Sequence, residues 1–498
     1  MRISISDQEA FQSTLKSLKP DFSLPAVTGI SIDSRNIQNG DIFLALTGEE
    51  TDGHLYIKEA EASGASLLIV EKEVDGPLPV LQTNSTLEFL NTLAYEYRKN
   101  FNCPFIAITG SNGKTTTKEL LSHVVSAEKK VAATRGNYNS TTGAPLSLLE
   151  FDTSAEMVII EMGASEPGEI ESICDIVKPD MGLITNVYAA HLEFFGSIEE
   201  IAKTKQAVFS TLPETGTAFL NMDDPYVSNM SVYCNRIGYA FNSPTDYNAI
   251  WEKGDSFQLF SINNEKIKLP APSETLGRNA LAVFAVASYL GLSVSTIINQ
   301  MESFNTPEGR GNVFQVSGVT IINDSYNANL ESAKSGIHNL ATTESLGRKV
   351  VVMGDMFELG EEEMDIHAKL GEFICREDID AVFMVGERMR KTHNAIINRN
   401  IFHEHFKSKN ELTEALNDYT QAGDIIYIKG SRGMEMESII EGIKLCLYGE
   451  SARQLQKGHR SYNKFLKDVH NHHARTKGEN NFSISIDLEI IESGLPSN

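Results

Sequence analysis

The sequence predicts an α/β protein of three domains: a small mixed α/β N-terminal domain, a central P-loop-type parallel-sheet domain and a C-terminal Rossmann-like α/β domain. Three observations predict it. The chain has 498 residues, too many for one domain at about 150 residues each. Short, β-rich apolar runs alternate with helical patterns in two successive series, which is how parallel sheets read. A glycine-rich segment ending in Gly113-Lys114-Thr115 lies between the first run of the central series and the helix that follows it.

Taken in order, the first hundred residues give strands at 29–32, 42–46 and 66–70, with a helical stretch at 55–62 between the last two. A helical run at 87–99 leads into Pro104. The central series has strands at 105–109, 157–160, 181–185 and 217–220; a third series has strands at 320–322, 350–353, 381–385 and 425–428. The most apolar stretch, 280–294, contains Ser288, Tyr289 and Gly291. It falls short of the ~20 residues that span a bilayer and reads as a buried helix. Boundaries near 102 and 307 divide the chain into 1–102, 103–306 and 307–448. A polar tail, 449–498, carries His459, His470, His472 and His473 and an alternating segment 482–490. Histidines in so polar a stretch read as solvated more readily than as metal ligands, and no function is assigned to them.

Composition narrows the function. Forty-one per cent apolar and 22% charged residues with only 15 prolines describe a globular chain and exclude a disordered or fibrous one. A formal charge of -24, from 43 Lys and Arg against 67 Asp and Glu, repels nucleic-acid backbones and anionic lipid. Neither nucleic acid nor membrane insertion is expected. Five widely separated cysteines without C-x-x-C spacing argue against a disulfide framework or a zinc site, and a start without an apolar h-region argues against secretion. A cytoplasmic enzyme fits.

With the overall charge opposed to anions, a phosphate must be held locally. Thr109-Gly110-Ser111-Asn112-Gly113-Lys114-Thr115-Thr116 supplies the means. Gly110 and Gly113 let backbone N–H groups close on phosphate oxygens, Lys114 neutralises them, and the Thr115 hydroxyl can ligate Mg²⁺ at a helix N-terminus. The strict P-loop spacing fails, because Ile108 stands where its first glycine would be. Ligands of open α/β sheets sit at the carboxyl ends of the strands. Glu161 ends one apolar run and His191 follows another, so both are candidates there, Glu161 as a metal ligand. On the helix after Ser197, which with Glu200 reads as a capping box, Ile198, Ile201, Ala202, Val208 and Phe209 mark the apolar face. Lys205 falls on that face and Lys203 off it. Burial would lower the Lys205 pKa, and the neutral amine could take up CO₂ as a carbamate that binds Mg²⁺.

These residues resemble the Mur ligases of peptidoglycan synthesis. The likeness runs from Gly29 to about Ile440 on the T-G-S-N-G-K-T loop, Glu161-Met162-Gly163 and Asn186 to His191. One branch of the family is matched further by 134–139 (T-R-G-N-Y-N), 190–196, 324–329 (D-S-Y-N-A-N), 353–360 and 429–432. The resemblance implies an ATP- and Mg²⁺-dependent ligase that joins D-alanyl-D-alanine to UDP-N-acetylmuramoyl-tripeptide through an acyl phosphate. It implies roles residue by residue. Ser34 and Arg35, with Asp52 and His54, would hold the uridine diphosphate portion, and Asn137 and Asn139 would face the substrate. The loop from Gly110 to Thr116, Asn279, Arg310, Asp324 and Asn327 would bind nucleotide, and Lys114 and Arg310 would carry charge to the γ-phosphate. Thr115, Glu161, His191 and carbamylated Lys205 would bind metal. The family's Gly-x-His-Asn-x-x-Asn run reads S-E-T-L-G-R-N at 273–279, keeping only Asn279, and Leu330 stands where the family has proline. The alternatives are the related ligase that adds the third stem amino acid, whose D-N-P-R motif is missing, and a nucleotide-binding regulatory protein without turnover.

Overall fold

The computed structural model describes residues 1–48, 51–252, 258–271 and 273–456, with side chains to residue 447. Three sheets follow one another along the chain. The first is β1 (Arg2–Ser4), β2 (Gly29–Ser31), β3 (Ile42–Leu44), β4 (Leu67–Val70) and β5 (Val80–Gln82), in that spatial order and parallel except for β1 against β2.

The central sheet contains β6 (Phe105–Thr109), β7 (Val131–Ala133), β8 (Met157–Glu161), β9 (Met181–Ile184), β10 (Thr217–Asn221), β11 (Asn235–Ala240), β12 (Tyr247–Trp251), β13 (Leu259–Ile262) and β14 (Glu265–Lys268). Its order is β14-β13-β12-β11-β10-β9-β6-β8-β7, parallel from β7 to β12 and closed by an antiparallel β12–β13–β14 meander. The third sheet has β15 (Asn312–Val316), β16 (Val319–Asp324), β17 (Lys349–Gly354), β18 (Ala381–Val385), β19 (Phe402–Phe406) and β20 (Ile425–Lys429), in the order β15-β16-β20-β17-β18-β19, with only β15 antiparallel.

The apolar strand runs are buried on both faces, as parallel strands covered by helices must be. Along β6 the two-residue period sends Phe105 and Ala107 to one core and Ile106 and Ile108 to the other. The first core continues into the N-terminal sheet through Ile42 and Leu44, so the first and central regions share packed surface. In the third sheet Val351 and Met353 face one core and Val350 and Val352 the other.

The helix expected at 280–294 is two: Glu274–Tyr289, capped by Ser273, and Val294–Glu302, separated at Gly291 in the left-handed region (φ 85°). Local punctuation overrides the apolar run. β1, β5, β7, β11 to β15, β19 and the helix Gln8–Leu18 were not anticipated: the three-residue strands β1, β5 and β7 carry too few positions to show a period, and β11 to β15 and β19 mix buried positions with partly exposed or exposed ones. Ser197 accepts from the Glu200 amide at 3.2 Å, one arm of the expected capping box, but the Glu200 carboxylate turns to Lys203. The helix Glu437–Gln456 runs through the expected boundary at 448, and the alternating segment 482–490 and the four tail histidines lie outside the described residues. No helix among the described residues is long and apolar enough to cross a membrane.

Candidate active site

Strand register assembles the site. Ile108 pairs with Glu161, Thr109 with Ile184, and Asp324 with Lys429, so the carboxyl ends of β6, β8 and β9 meet in the central sheet and those of β16 and β20 in the third. Between the two sheets lies a cavity of about 880 Å³.

The phosphate loop leaves β6 with Gly110 and Gly113 at φ 150° and 82°. A Cβ on Gly110 would stand 1.8 Å from Thr185 Oγ1, and one on Gly113 2.5 Å from Asn279 Oδ1, so only glycine fits either position. Asn186 pins the loop: its carbonyl accepts from the Ser111 amide at 3.0 Å and its Oδ1 from the Asn112 amide at 2.8 Å. The helix Lys114–Val125 then starts with no side chain capping it, and the N–H groups of such a helix start suit an anion. Lys114 Nζ donates to the Gly110 carbonyl at 2.7 Å, and burial pushes its pKa down to about 8.

Glu161 is 1% exposed. Its Oε1 accepts from Thr115 Oγ1 at 3.0 Å and Asn139 Nδ2 at 2.8 Å, while Oε2 has no hydrogen-bond partner. From the third region Arg310, stacked 3.7 Å over the Tyr326 ring, donates to Thr115 Oγ1 at 3.2 Å. Asn112 and Asn329 exchange amide hydrogen bonds of 3.3 and 2.8 Å across the same gap. His191 Nδ1 and a Glu358 carboxylate oxygen meet there, the two residues both in the left-handed region at φ 55° and 59°. Such backbone strain in two non-glycine residues is found where the surroundings over-determine a site, and the imidazole holds the Glu358 carboxyl below its usual pKa.

Of the expected residues, Ser111 to Thr116, Asn137, Asn139, Glu161, His191, Asn279, Arg310, Asp324 and Asn327 line this one cavity. Asp324 is engaged by Lys429 Nζ at 2.6 Å and the Tyr427 hydroxyl at 2.8 Å. Lys205 is buried on the helix Ile198–Ser210 but does not line the cavity. Burial, then the charge of Lys114, hold its pKa well below the ordinary lysine value. No three His, Cys, Asp or Glu side chains form a ready cation cage among the described residues. Ser34, Arg35, Asp52 and His54 stand apart from the cavity. There Ser34 donates to Glu59 at 2.9 Å, Arg35 grips Asp33 at 2.9 Å, and Asp52 holds His54 Nδ1 and Lys72 Nζ at 2.5 and 2.6 Å.

Sequence reasoning gave no role to Asn186, Asn329, Glu358 or Lys118. Asn329 carried a local signal, since with Ser332 it forms the capping box of the helix Leu330–Thr342. Lys118 stands four residues after Lys114, on the same helix face. Where the family run is replaced, Arg278 pairs with Asp223 and Glu274 on the cavity wall.

Comparison with known proteins covers the same stretches. Residues 26–98 match the model of the Mur ligase family catalytic domain, 108–287 that of the Mur ligase middle domain and 309–432 that of the Mur ligase, glutamate ligase domain. The chain is similar to the UDP-N-acetylmuramoyl-tripeptide–D-alanyl-D-alanine ligases of Bacillus subtilis, 31% identical over 85% of this chain and 94% of that one, and Escherichia coli, 33% identical over the same shares. Among solved structures, MurF from Thermotoga maritima in complex with ADP matches with a TM-score of 0.76 at 30% identity, covering 84% of this chain and 98% of that one. MurF from Acinetobacter baumannii matches with a TM-score of 0.78 at 28% identity over 87% and 98%.

Proposed function

We propose, from the premise that this chain belongs to the Mur ligase family, that it joins D-alanyl-D-alanine to UDP-N-acetylmuramoyl-tripeptide with cleavage of ATP. The product is the pentapeptide precursor of peptidoglycan. The observation that carries the reading is Arg310, which reaches across from the third region to the phosphate-loop hydroxyl of Thr115. A cation and a nucleotide loop from separate sheets thus converge on one cavity.

The chemistry follows from what a carboxylate lacks. Its oxygen is a poor leaving group until phosphorylated, so the terminal carboxylate of the tripeptide takes the γ-phosphoryl group of ATP and ADP departs. The dipeptide amine then adds to the acyl carbon, and phosphate leaves from the tetrahedral intermediate. Lys114 and Arg310 place positive charge where phosphoryl charge spreads, in a site where fixed charge acts strongly. Asn137 and Asn139 position the peptide end. Gly110 to Thr116 and Asn279 hold the triphosphate side, with Asp324 and Asn327 closing on the nucleotide from the third region. Ser34, Arg35, Asp52 and His54 take the uridine diphosphate portion.

The residues present fit Mg²⁺: a carboxylate oxygen buried without a hydrogen-bond partner, Glu161 Oε2, is the donor a hard cation would complete. Thr115 and Glu161 would hold one ion, and His191 with Lys205, the last as a carbamate formed from its neutral amine and CO₂ with loss of a proton, would help hold a second. When bound, Mg²⁺ neutralises phosphate oxygens. No disulfide joins any of the five cysteines, and with a nucleotide-linked substrate this supports a cytoplasmic setting.

Phosphate release from ATP tests the reading. It should require both UDP-N-acetylmuramoyl-tripeptide, offered with lysine or diaminopimelate as third residue, and D-alanyl-D-alanine. Release that proceeds equally with a dipeptide-linked precursor and a single amino acid would assign the chain to the neighbouring ligase step.

A further inference from the structure

Lys118 is a fully buried cation that the phosphate chemistry does not use, at 0% exposure on the helix Lys114–Val125. Its ammonium donates to the Thr134 carbonyl at 2.7 Å, pairs with Glu119 at 2.8 Å and lies 3.7 Å from Glu161 Oε2. A buried lysine is costly unless each of its donors has work to do, and the partners indicate the work. Thr134 opens the segment that carries Asn137 and Asn139, and its hydroxyl accepts from the Glu161 amide at 3.0 Å. At the far end of that segment Asn139 returns to Glu161 through Nδ2 at 2.8 Å, and its carbonyl accepts from the Gly163 amide at 2.8 Å. Between them Tyr138 accepts, at its hydroxyl, a hydrogen bond of 3.2 Å from the Arg2 amide in the first sheet.

One segment therefore touches the phosphate-loop helix, the carboxylate at the end of β8 and the first region. We infer that Lys118 is a positioning residue for the UDP-peptide substrate: it fixes the register of residues 134–139 against the phosphate-loop helix and so sets where Asn137 and Asn139 stand. The inference rests on the reading of those asparagines as substrate-facing. It does not place Lys118 on the nucleotide, since its side chain does not line the cavity. Its loss should fall on peptide binding and spare ATP binding, a division that a merely structural lysine would not produce.

The test is calorimetric binding to the full-length chain, without turnover, of UDP-N-acetylmuramoyl-tripeptide and separately of a non-hydrolysable ATP analogue. Lys118→Met should weaken the UDP-peptide by about tenfold or more, the scale seen when a supporting partner of a site residue is removed, and leave the analogue within about threefold. Lys118→Gln keeps a donor for the Thr134 carbonyl but neither the charge nor the full reach of the lysine, and should weaken the UDP-peptide by about fivefold, less than Lys118→Met; it decides the matter if Lys118→Met does not fold. Glu119→Gln, which removes the partner nearer solvent, should change neither ligand. Equal losses for both ligands, or unchanged peptide binding in a folded Lys118→Met or Lys118→Gln variant, overturn the inference. Asn139→Ala separates the two levels. Unchanged peptide binding in that variant removes the substrate-facing reading, whereas weakened binding there with full binding in Lys118→Met removes only the role of Lys118.

Discussion

The first sheet and the central sheet both present candidate site residues, and they hold them in opposite states. In the first region Ser34, Arg35, Asp52 and His54 each have a partner of their own in Glu59, Asp33, Lys72 or the Glu71 amide. Around the phosphate loop Glu161 Oε2 has no hydrogen-bond partner and only the Lys118 ammonium at 3.7 Å, Lys114 reaches only loop carbonyls, and Lys205 is buried within range of another cation. Leaving polar groups incomplete in a buried site costs free energy that the fold must supply. The difference teaches that the central site is held ready for charge to arrive, while the first region must exchange existing contacts to take a ligand.

The sharpest way to break that contrast is Lys114→Ala. Its charge is needed where phosphate charge accumulates, so ligation should fall by about a thousandfold with circular dichroism unchanged. Activity within about threefold of the parent would end the distinction. Lys205→Ala should lower ligation by about a hundredfold and be partly restored by short carboxylic acids, which replace the carbamate oxygens. Lys203, 77% exposed at its side chain and paired with Glu200, should tolerate alanine. Rescue of neither variant, or an essential Lys203, would remove the carbamate.

Smaller effects belong to the residues whose contacts are complete. Arg35→Ala should raise KM for the UDP-peptide by about fivefold at constant kcat, because the exposed Arg35–Asp33 pair is weak and easily exchanged. A kcat loss with unchanged KM would contradict its assignment to binding. In the third region the effect should be on stability. His367 is fully buried, accepts from the Met356 amide at 3.1 Å and donates to the Glu363 carbonyl at 2.6 Å; burial lowers its pKa below the ordinary 6.5. The unfolded chain then binds the proton more readily, so stability is complete above about pH 6.5 and declines as pH falls below it. The melting temperature should drop between pH 7 and 5, and His367→Gln should flatten that slope. An unchanged slope would show that other groups set it.

What the sequence revealed follows the same division. Glycine and strand patterns expose the phosphate loop, because Gly110 and Gly113 are dictated by backbone geometry and close approach, and such demands are local. Lys205 was visible because burial on one helix face has a period. Four strands of the central sheet, β6, β8, β9 and β10, and four of the third, β16, β17, β18 and β20, were legible as continuous apolar runs; β7, β11 to β15 and β19 were not. The division of the 280–294 stretch at Gly291 was outweighed by its composition. Contacts across the cleft, Asn112 with Asn329 and His191 with Glu358, pair residues more than 150 positions apart; nothing local to either partner announces the other. Lys118 was hidden for another reason: a lysine one turn beyond Lys114 reads as a solvated face until the fold encloses it.

On the proposed function, the tripeptide carboxylate is activated by phosphorylation in the cleft between the central and third sheets. Tripeptide precursor labelled with ¹⁸O in both oxygens of its terminal carboxylate tests this most directly. Phosphorylation makes one of those oxygens the bridge to phosphorus, and amide formation expels it with phosphate. Mass spectrometry should find one ¹⁸O in each inorganic phosphate released and one in the new amide carbonyl. Phosphate carrying no label beside a ligated product would contradict the acyl phosphate and, with it, the role given to Lys114 and Arg310.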